Sequence, residues 1–91
     1  MSLRKVPAMS QLARSPDQLG AILQRQRNLK GLTQKQLAGQ LGMRQATISQ
    51  LEGGLSGARL STLMDVLAAL DLELVIGQRS KGKAQDIEDI F

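Results

Sequence analysis

The chain has 91 residues and a mass of 9.8 kDa, so we expect one small domain. It contains no Cys, His, Trp or Tyr and a single Phe. These absences exclude a disulfide-stapled scaffold, a thiol nucleophile and an imidazole base, and they remove the commonest ligands of zinc and iron–sulfur sites. RNA-binding folds that stack bases on aromatic side chains are disfavoured for the same reason. We therefore expect neither an enzyme nor a metal or other cofactor.

Charge is distributed unevenly along the chain. Residues 1–60 contain nine basic and two acidic residues, a net charge of +7, whereas residues 61–91 contain three basic and six acidic residues, a net charge of −3. A basic body favours a polyanion such as nucleic acid as its partner, over the alternative of a solvated surface with chance asymmetry. No apolar run approaches the roughly 20 residues of a membrane span, and the N-terminus does not resemble a signal peptide. We expect a cytoplasmic protein.

The first two predicted helices both begin with a capping-box signature. A polar leader without clear periodicity occupies residues 1–14. SPDQ at residues 15–18 then starts a helix that should run to about Asn28. TQKQ at residues 33–36 starts a second, shorter helix, which Gly42 ends.

Two more helices follow by their apolar spacing. A third short helix fits from Arg44 or Gln45 to Glu52. A fourth fits residues 60–70, and its apolar stripe at i, i+3, i+4 and i+7 consists of Leu63, Val66, Leu67 and Leu70.

The period changes at residues 72–76, LELVI, where alternate positions are apolar. This alternation predicts a strand, with Leu72, Leu74 and Ile76 on one face. A lone strand cannot satisfy its own backbone, so we expect it to pair with its copy in a dimer. The alternative is that these residues extend the fourth helix. The predicted organisation is a leader, a domain at 15–71, a dimerisation strand at 72–79 and a flexible tail at 80–91.

The second and third helices have the residues that a helix-turn-helix needs. Ala38 is small enough for a close helix crossing, Gly42 suits a turn with positive φ, and Ile48 can anchor the third helix to the core. The remaining inward positions are Leu37, Leu41, Met43 and Leu51. The fold class is therefore mainly α, a four-helix helix-turn-helix domain with one C-terminal strand that pairs across a dimer.

The exposed face of the third helix suits base edges in the DNA major groove. It should present Arg44, Gln45, Ala46, Thr47 and Ser49. Arg bonds guanine, Gln bonds adenine, Ala contacts a thymine methyl group, and Ser serves either role. Gln34 lies at the N-terminus of the second helix, where backbone N–H groups favour a phosphate. The alternative is that these polar side chains are merely solvated.

Arg27 and Glu52 are expected to form a structural ion pair. They lie near the ends of the first and third helices, and an unpaired Glu52 close to DNA would be unfavourable. We therefore expect Arg27 to support the fold more than to contact DNA.

The segment TQKQLAGQLGMRQATISQLEGG resembles the Xre, or lambdoid phage-repressor, helix-turn-helix family. Residues 15–76 more closely resemble HipB-type antitoxins of HipA/HipB toxin–antitoxin modules, in the SPxQL start, the LTQ and QATIS motifs and the LELVI strand. The resemblance implies a homodimer that binds double-stranded operator DNA and a HipA-type kinase toxin, and hence nucleoid association in a bacterium. By position, Arg44, Gln45, Ala46 and Ser49 would read bases. Gln34, Lys35 and Thr47 would contact the DNA backbone.

Two other functions stay open at this point. One is a stand-alone Xre-family repressor without a toxin, and the other is a protein-interaction module that no longer binds DNA. The acidic tail ends in the only aromatic residue, Phe91. We expect this tail either to bind the toxin or mark the free chain for proteolysis, or to have no role.

Overall fold

The computed structural model describes residues 11–54 and 57–79, and within them the chain forms four α-helices. These are α1 Pro16–Leu29, α2 Gln34–Leu41, α3 Gln45–Glu52 and α4 Leu60–Ala69. All four predicted helices are confirmed, with ends within one residue or so of those expected. Most of the predicted leader and the whole predicted tail lie outside the described residues.

The starts of α1 and α2 show how the capping residues act. At α2 the capping box is complete: the hydroxyl of Thr33 accepts from the backbone N–H of Gln36, and the Gln36 side chain accepts from the backbone N–H of Thr33. At α1 the hydroxyl of Ser15 accepts from the N–H of Gln18 at 3.1 Å. The Gln18 side chain, however, accepts from the N–H of Arg14, one residue before the position that a capping box requires.

The core lies where the four helices meet. Its buried members are Leu23, Leu37, Ala38, Ile48, Leu51, Val66, Leu67 and Leu70. α3 packs against both α1 and α2, and α4 packs against α2. Because α3 is short, packing on two helices rather than intrinsic propensity stabilises it. None of the helices in the described residues is long and apolar enough to cross a membrane.

The chain leaves α4 abruptly. The helix ends at Ala69, and Asp71 takes a left-handed conformation with φ 58°. The alternative that residues 72–76 extend the fourth helix is therefore wrong. Residues 72–79 belong to no helix or strand among the described residues. A strand needs a partner strand, so pairing with a second copy stays a prediction.

Candidate nucleic-acid interface

The turn between α2 and α3 is fixed by backbone hydrogen bonds. Gly42 has φ 66°, and the N–H of Met43 donates to the carbonyl oxygen of Ala38 at 2.9 Å. This pattern ends α2 and turns the chain at once into α3. Ala38 is almost fully buried, which fits its predicted place in the close helix crossing. The turn therefore has the geometry of a helix-turn-helix.

Two buried residues set the rotation of α3. Ile48 and Leu51 point into the core, so the opposite side of the helix faces outward. The exposed residues there are Arg44, Gln45, Ala46, Ser49 and Gln50. Thr47 is half-buried. All four predicted base-reading side chains therefore lie on one accessible face.

An ion pair locks the end of α3 to α1. The Nε of Arg27 donates to Oε2 of Glu52 at 2.6 Å, and Nη2 donates to Oε1 at 3.0 Å. A third guanidinium bond, from Nη1, reaches the backbone oxygen of Leu32 at 2.7 Å. The side chains of both partners are nearly buried, and the hydrogen bonds with Glu52 raise the pKa of Arg27. The guanidinium thus holds together α1, α3 and the loop before α2.

Gln34 extends this ion pair towards the exposed face. Its Nε2 donates to Oε1 of Glu52 at 3.0 Å, and its Oε1 accepts from Nε2 of Gln45 at 3.4 Å. A continuous polar chain therefore runs from Arg27 through Glu52 and Gln34 to Gln45. The sequence predicts a phosphate contact for Gln34 but does not predict its bonds to Glu52 and Gln45. The only sequence signal for these bonds is that α2 and α3 each begin with a glutamine. The spacing of residues along the chain does not give the distance between side chains on two different helices.

The other predicted site residues fall into two places. Lys35 is exposed in the first turn of α2 and follows Gln34 in the chain. Of the three predicted strand residues, Leu72 packs against the core of its own chain. Leu74 and Ile76 are exposed. Within a single chain Leu74 is therefore about half covered and Ile76 is almost fully exposed.

The described residues contain neither a candidate metal site nor an unpaired buried group. No group of three or more Asp and Glu residues lies together in residues 11–54 and 57–79 in a way that could hold a metal ion. Every buried side-chain nitrogen and oxygen of these residues has a hydrogen-bond partner.

Comparison with known proteins agrees with this geometry. A helix-turn-helix family model matches residues 23–76. The antitoxin HipB of Escherichia coli (strain K12) is 31% identical over 74 residues, which cover 81% of this chain and 84% of the relative. This chain belongs to the HipB family of helix-turn-helix antitoxins.

Solved HipB structures have the same fold as this HipB-type chain. A HipB–O4 20mer complex superposes with a TM-score of 0.72 at 32% identity, covering 78% of this chain and 100% of that one. A HipA–HipB–O2–O3 complex has a TM-score of 0.71 at the same identity and coverage. A further HipB structure, an O1–O2 complex, has a TM-score of 0.68 at 34% identity and covers 74% of this chain and 97% of that one.

Proposed function

We propose that this HipB-type chain is a DNA-binding antitoxin that dimerises, binds a palindromic operator to repress its own operon, and binds a HipA-type kinase toxin. The observation that carries the proposal is the outward face of α3, which presents Arg44, Gln45, Ala46 and Ser49 while Ile48 and Leu51 hold the helix on the core. Related HipB structures include a complex with an O4 20mer and a complex that contains HipA together with O2 and O3.

The polar chain behind α3 gives Gln45 its role. A glutamine that reads adenine must hold its amide in the plane of the base. The contact with Gln34, which Glu52 holds in turn, restricts the Gln45 side chain before DNA arrives. Less rotamer entropy is then lost on binding. Gln34, Lys35 and Thr47 contact the DNA backbone on either side.

Charge supports the same orientation. Glu52 is the only acidic residue in α2 and α3, and Arg27 neutralises it. The exposed face of α3 therefore carries no uncompensated negative charge of its own that would repel phosphates. This face has one basic residue, Arg44, and no acidic residue, which favours DNA binding over an interaction module that does not bind DNA.

A two-fold dimer predicts a palindromic operator. Its half-site centres should lie about 34 Å apart, one helical turn, or a multiple of that distance. Footprinting that showed a single asymmetric half-site would contradict the dimer.

The base-reading assignment is tested with Gln45→Ala. We expect it to cost about 1–3 kcal/mol of operator binding per half-site and to relax the preference at one base pair in each half-site. Gln24→Ala, an exposed glutamine on α1, is the control and should change neither. Lys35→Ala should weaken binding to all sequences alike and lower the salt slope by about one for each phosphate that Lys35 neutralises. Unchanged sequence preference in Gln45→Ala would show that the proposed register of α3 is wrong.

The toxin partner separates an antitoxin from a stand-alone repressor. We expect the chain to co-elute with a HipA-type kinase in size-exclusion chromatography and to inhibit its kinase activity. A chain that binds operator DNA but leaves the kinase free and active would be a stand-alone repressor. The relatives are helix-turn-helix antitoxins rather than enzymes, and we assign no catalytic activity to this chain. DNA binding would place it on the bacterial nucleoid.

A further inference from the structure

Three of the helices end with the same backbone motif, but one end differs in its residue. At α1, α2 and α4 an N–H two or three residues beyond the end of the helix bonds a carbonyl of its last turn. The left-handed residue that this motif requires is Gly31 in α1 and Gly42 in α2, with φ 72° and 66°. In α4 it is Asp71, with φ 58°. Glycine adopts this conformation freely, so an aspartate there calls for a reason.

The side chain of Asp71 is held by the C-terminal end of α1. Its Oδ2 forms an ion pair with Nζ of Lys30. One turn earlier on the same helix, Nε2 of Gln26 donates to the backbone oxygen of Leu70 at 3.2 Å. Leu70 is fully buried, so the chain is held at the residue before the turn and at the turning residue itself. We call Gln26, Lys30 and Asp71 the exit clamp.

Helix α1 also holds the C-terminal end of α3, the recognition helix. Arg27 lies between the two clamp residues of α1 and bonds Glu52 at the end of α3. The direction of the recognition helix and the direction in which residues 72–76 leave the domain are therefore both set relative to α1.

We propose that the exit clamp sets the half-site spacing that the dimer accepts. The inference rests on the proposed function, because it needs a dimer joined through residues 72–76. In a two-fold dimer, a change in the direction in which residues 72–76 leave the domain occurs in both chains. The separation of the two recognition helices therefore changes by twice the shift in one chain. One inserted base pair moves a half-site by about 3.4 Å and turns it by about 35°. Without the exit clamp, residues 72–76 could change direction and the dimer would accommodate that shift. With the exit clamp in place, the direction of these residues is held and the shifted operator binds less well.

The first test measures spacing selectivity. Operator affinity is measured at one salt concentration for the preferred spacing and for operators with one base pair added or removed at the centre. Lys30→Gln and Asp71→Asn should each lower the preference for the correct spacing by about two- to five-fold, the range expected from a part-exposed ion pair. Arg25→Gln removes the same charge from an exposed site on α1 and should keep the wild-type ratio.

Asp71→Gly separates the side chain from the backbone. Glycine keeps the positive φ but cannot bond Lys30, so this variant should fold and lose selectivity as Asp71→Asn does. Wild-type selectivity in Asp71→Gly or in Lys30→Gln would overturn the exit clamp while leaving operator binding intact. A wild-type chain that binds no operator at all would instead overturn the proposed function, and the exit clamp with it.

A second readout needs no DNA. The chain has no cysteine, so Gln50→Cys on the exposed side of α3 provides one spin-label site per protomer. Pulsed electron paramagnetic resonance of the free dimer should give a narrow distance between the two labels. Adding Lys30→Gln or Asp71→Asn should broaden that distribution, and adding Arg25→Gln should not. Equal widths in all four proteins would also overturn the proposal.

Discussion

Two regions of the molecule each contain an ion pair, in very different surroundings. One region is the reading unit, formed by α1, α2 and α3, and the other is the segment that follows α4. The side chains of Arg27 and Glu52 are 9% and 5% exposed, and each makes further hydrogen bonds. Those of Lys30 and Asp71 are 31% and 77% exposed. Buried, multiply bonded charges hold a single geometry, whereas an exposed pair is worth little by itself. The geometry of the reading unit is therefore fixed by contacts within one chain.

The apolar side chains show the same contrast. Ile48, which anchors the recognition helix, is 1% exposed, while Ile76 at the end of the predicted strand is 87% exposed. Burying an apolar side chain of that size away from water contributes about 1.5–3 kcal/mol of stabilising free energy. The segment after α4 thus has stabilisation to gain from a second chain, and the reading unit does not need one. The following predictions would break or sharpen this difference.

Glu52→Ala should have the largest effect on the free energy of unfolding. It would leave the guanidinium of Arg27 buried without its carboxylate, which costs about 3–5 kcal/mol. Lys30→Ala breaks the exposed ion pair instead and should cost no more than about 1 kcal/mol. Urea denaturation of the two variants measures the difference. Similar losses in both would show that burial does not distinguish the two regions.

Gly20→Ala should come next and also acts within the reading unit. A Cβ at Gly20 would lie 2.4 Å from the backbone oxygen of Glu52 and 2.7 Å from that of Leu51. Because both contacts are backbone atoms, α1 and the end of α3 must separate, at a cost of about 1–3 kcal/mol. A lower urea midpoint with an unchanged m-value is expected. An unaffected midpoint would mean that the helices are not held as closely as described.

Leu74→Pro tests the segment after α4. Proline would remove one ladder hydrogen bond from each strand of the dimer, about 1–3 kcal/mol of association when both chains are counted. Analytical ultracentrifugation should show a wild-type dimer at micromolar concentration and a folded, monomeric variant. Because Leu74 is half exposed, the unfolding transition of the monomer should survive. A wild-type chain that is monomeric at that concentration would refute the dimer strand.

The helices could be predicted from the sequence because each carries local signals. Thr33 and Gln36 lie three residues apart, which is the spacing that a capping box requires. Gly42 and Ile48 have the residue types that a tight turn and a buried anchor require. The orientation of α3 followed from these positions, since the apolar residues of a short helix determine which side faces outward.

The polar chain and the exit geometry could not be predicted in the same way. The Gln34 bond to Glu52 joins residues 18 positions apart, and only the packed arrangement of α2 and α3 brings them together. Aspartate is more tolerant of a left-handed conformation than most residues, but nothing near Asp71 in the sequence shows that it takes one at the end of α4. By sequence Asp71 is an ordinary surface acid, because its partner Lys30 is 41 positions away.

Gly39→Ala should have the smallest effect, and of opposite sign. Gly39 lies inside α2 on its exposed side, and a Cβ there would have no atom within 4 Å outside the helix backbone and its chain neighbours. The glycine contributes only flexibility to the unfolded chain, so alanine should raise the free energy of unfolding by about 0.5–1 kcal/mol. Paired with Gly20→Ala, the same chemical change is thus expected to stabilise one helix and to separate two others. A loss of stability in Gly39→Ala would indicate that α2 is covered on that side, either by residues outside the described ranges or by the second chain. Repeating the denaturation at several protein concentrations would distinguish these two explanations, because only an interaction between chains depends on concentration.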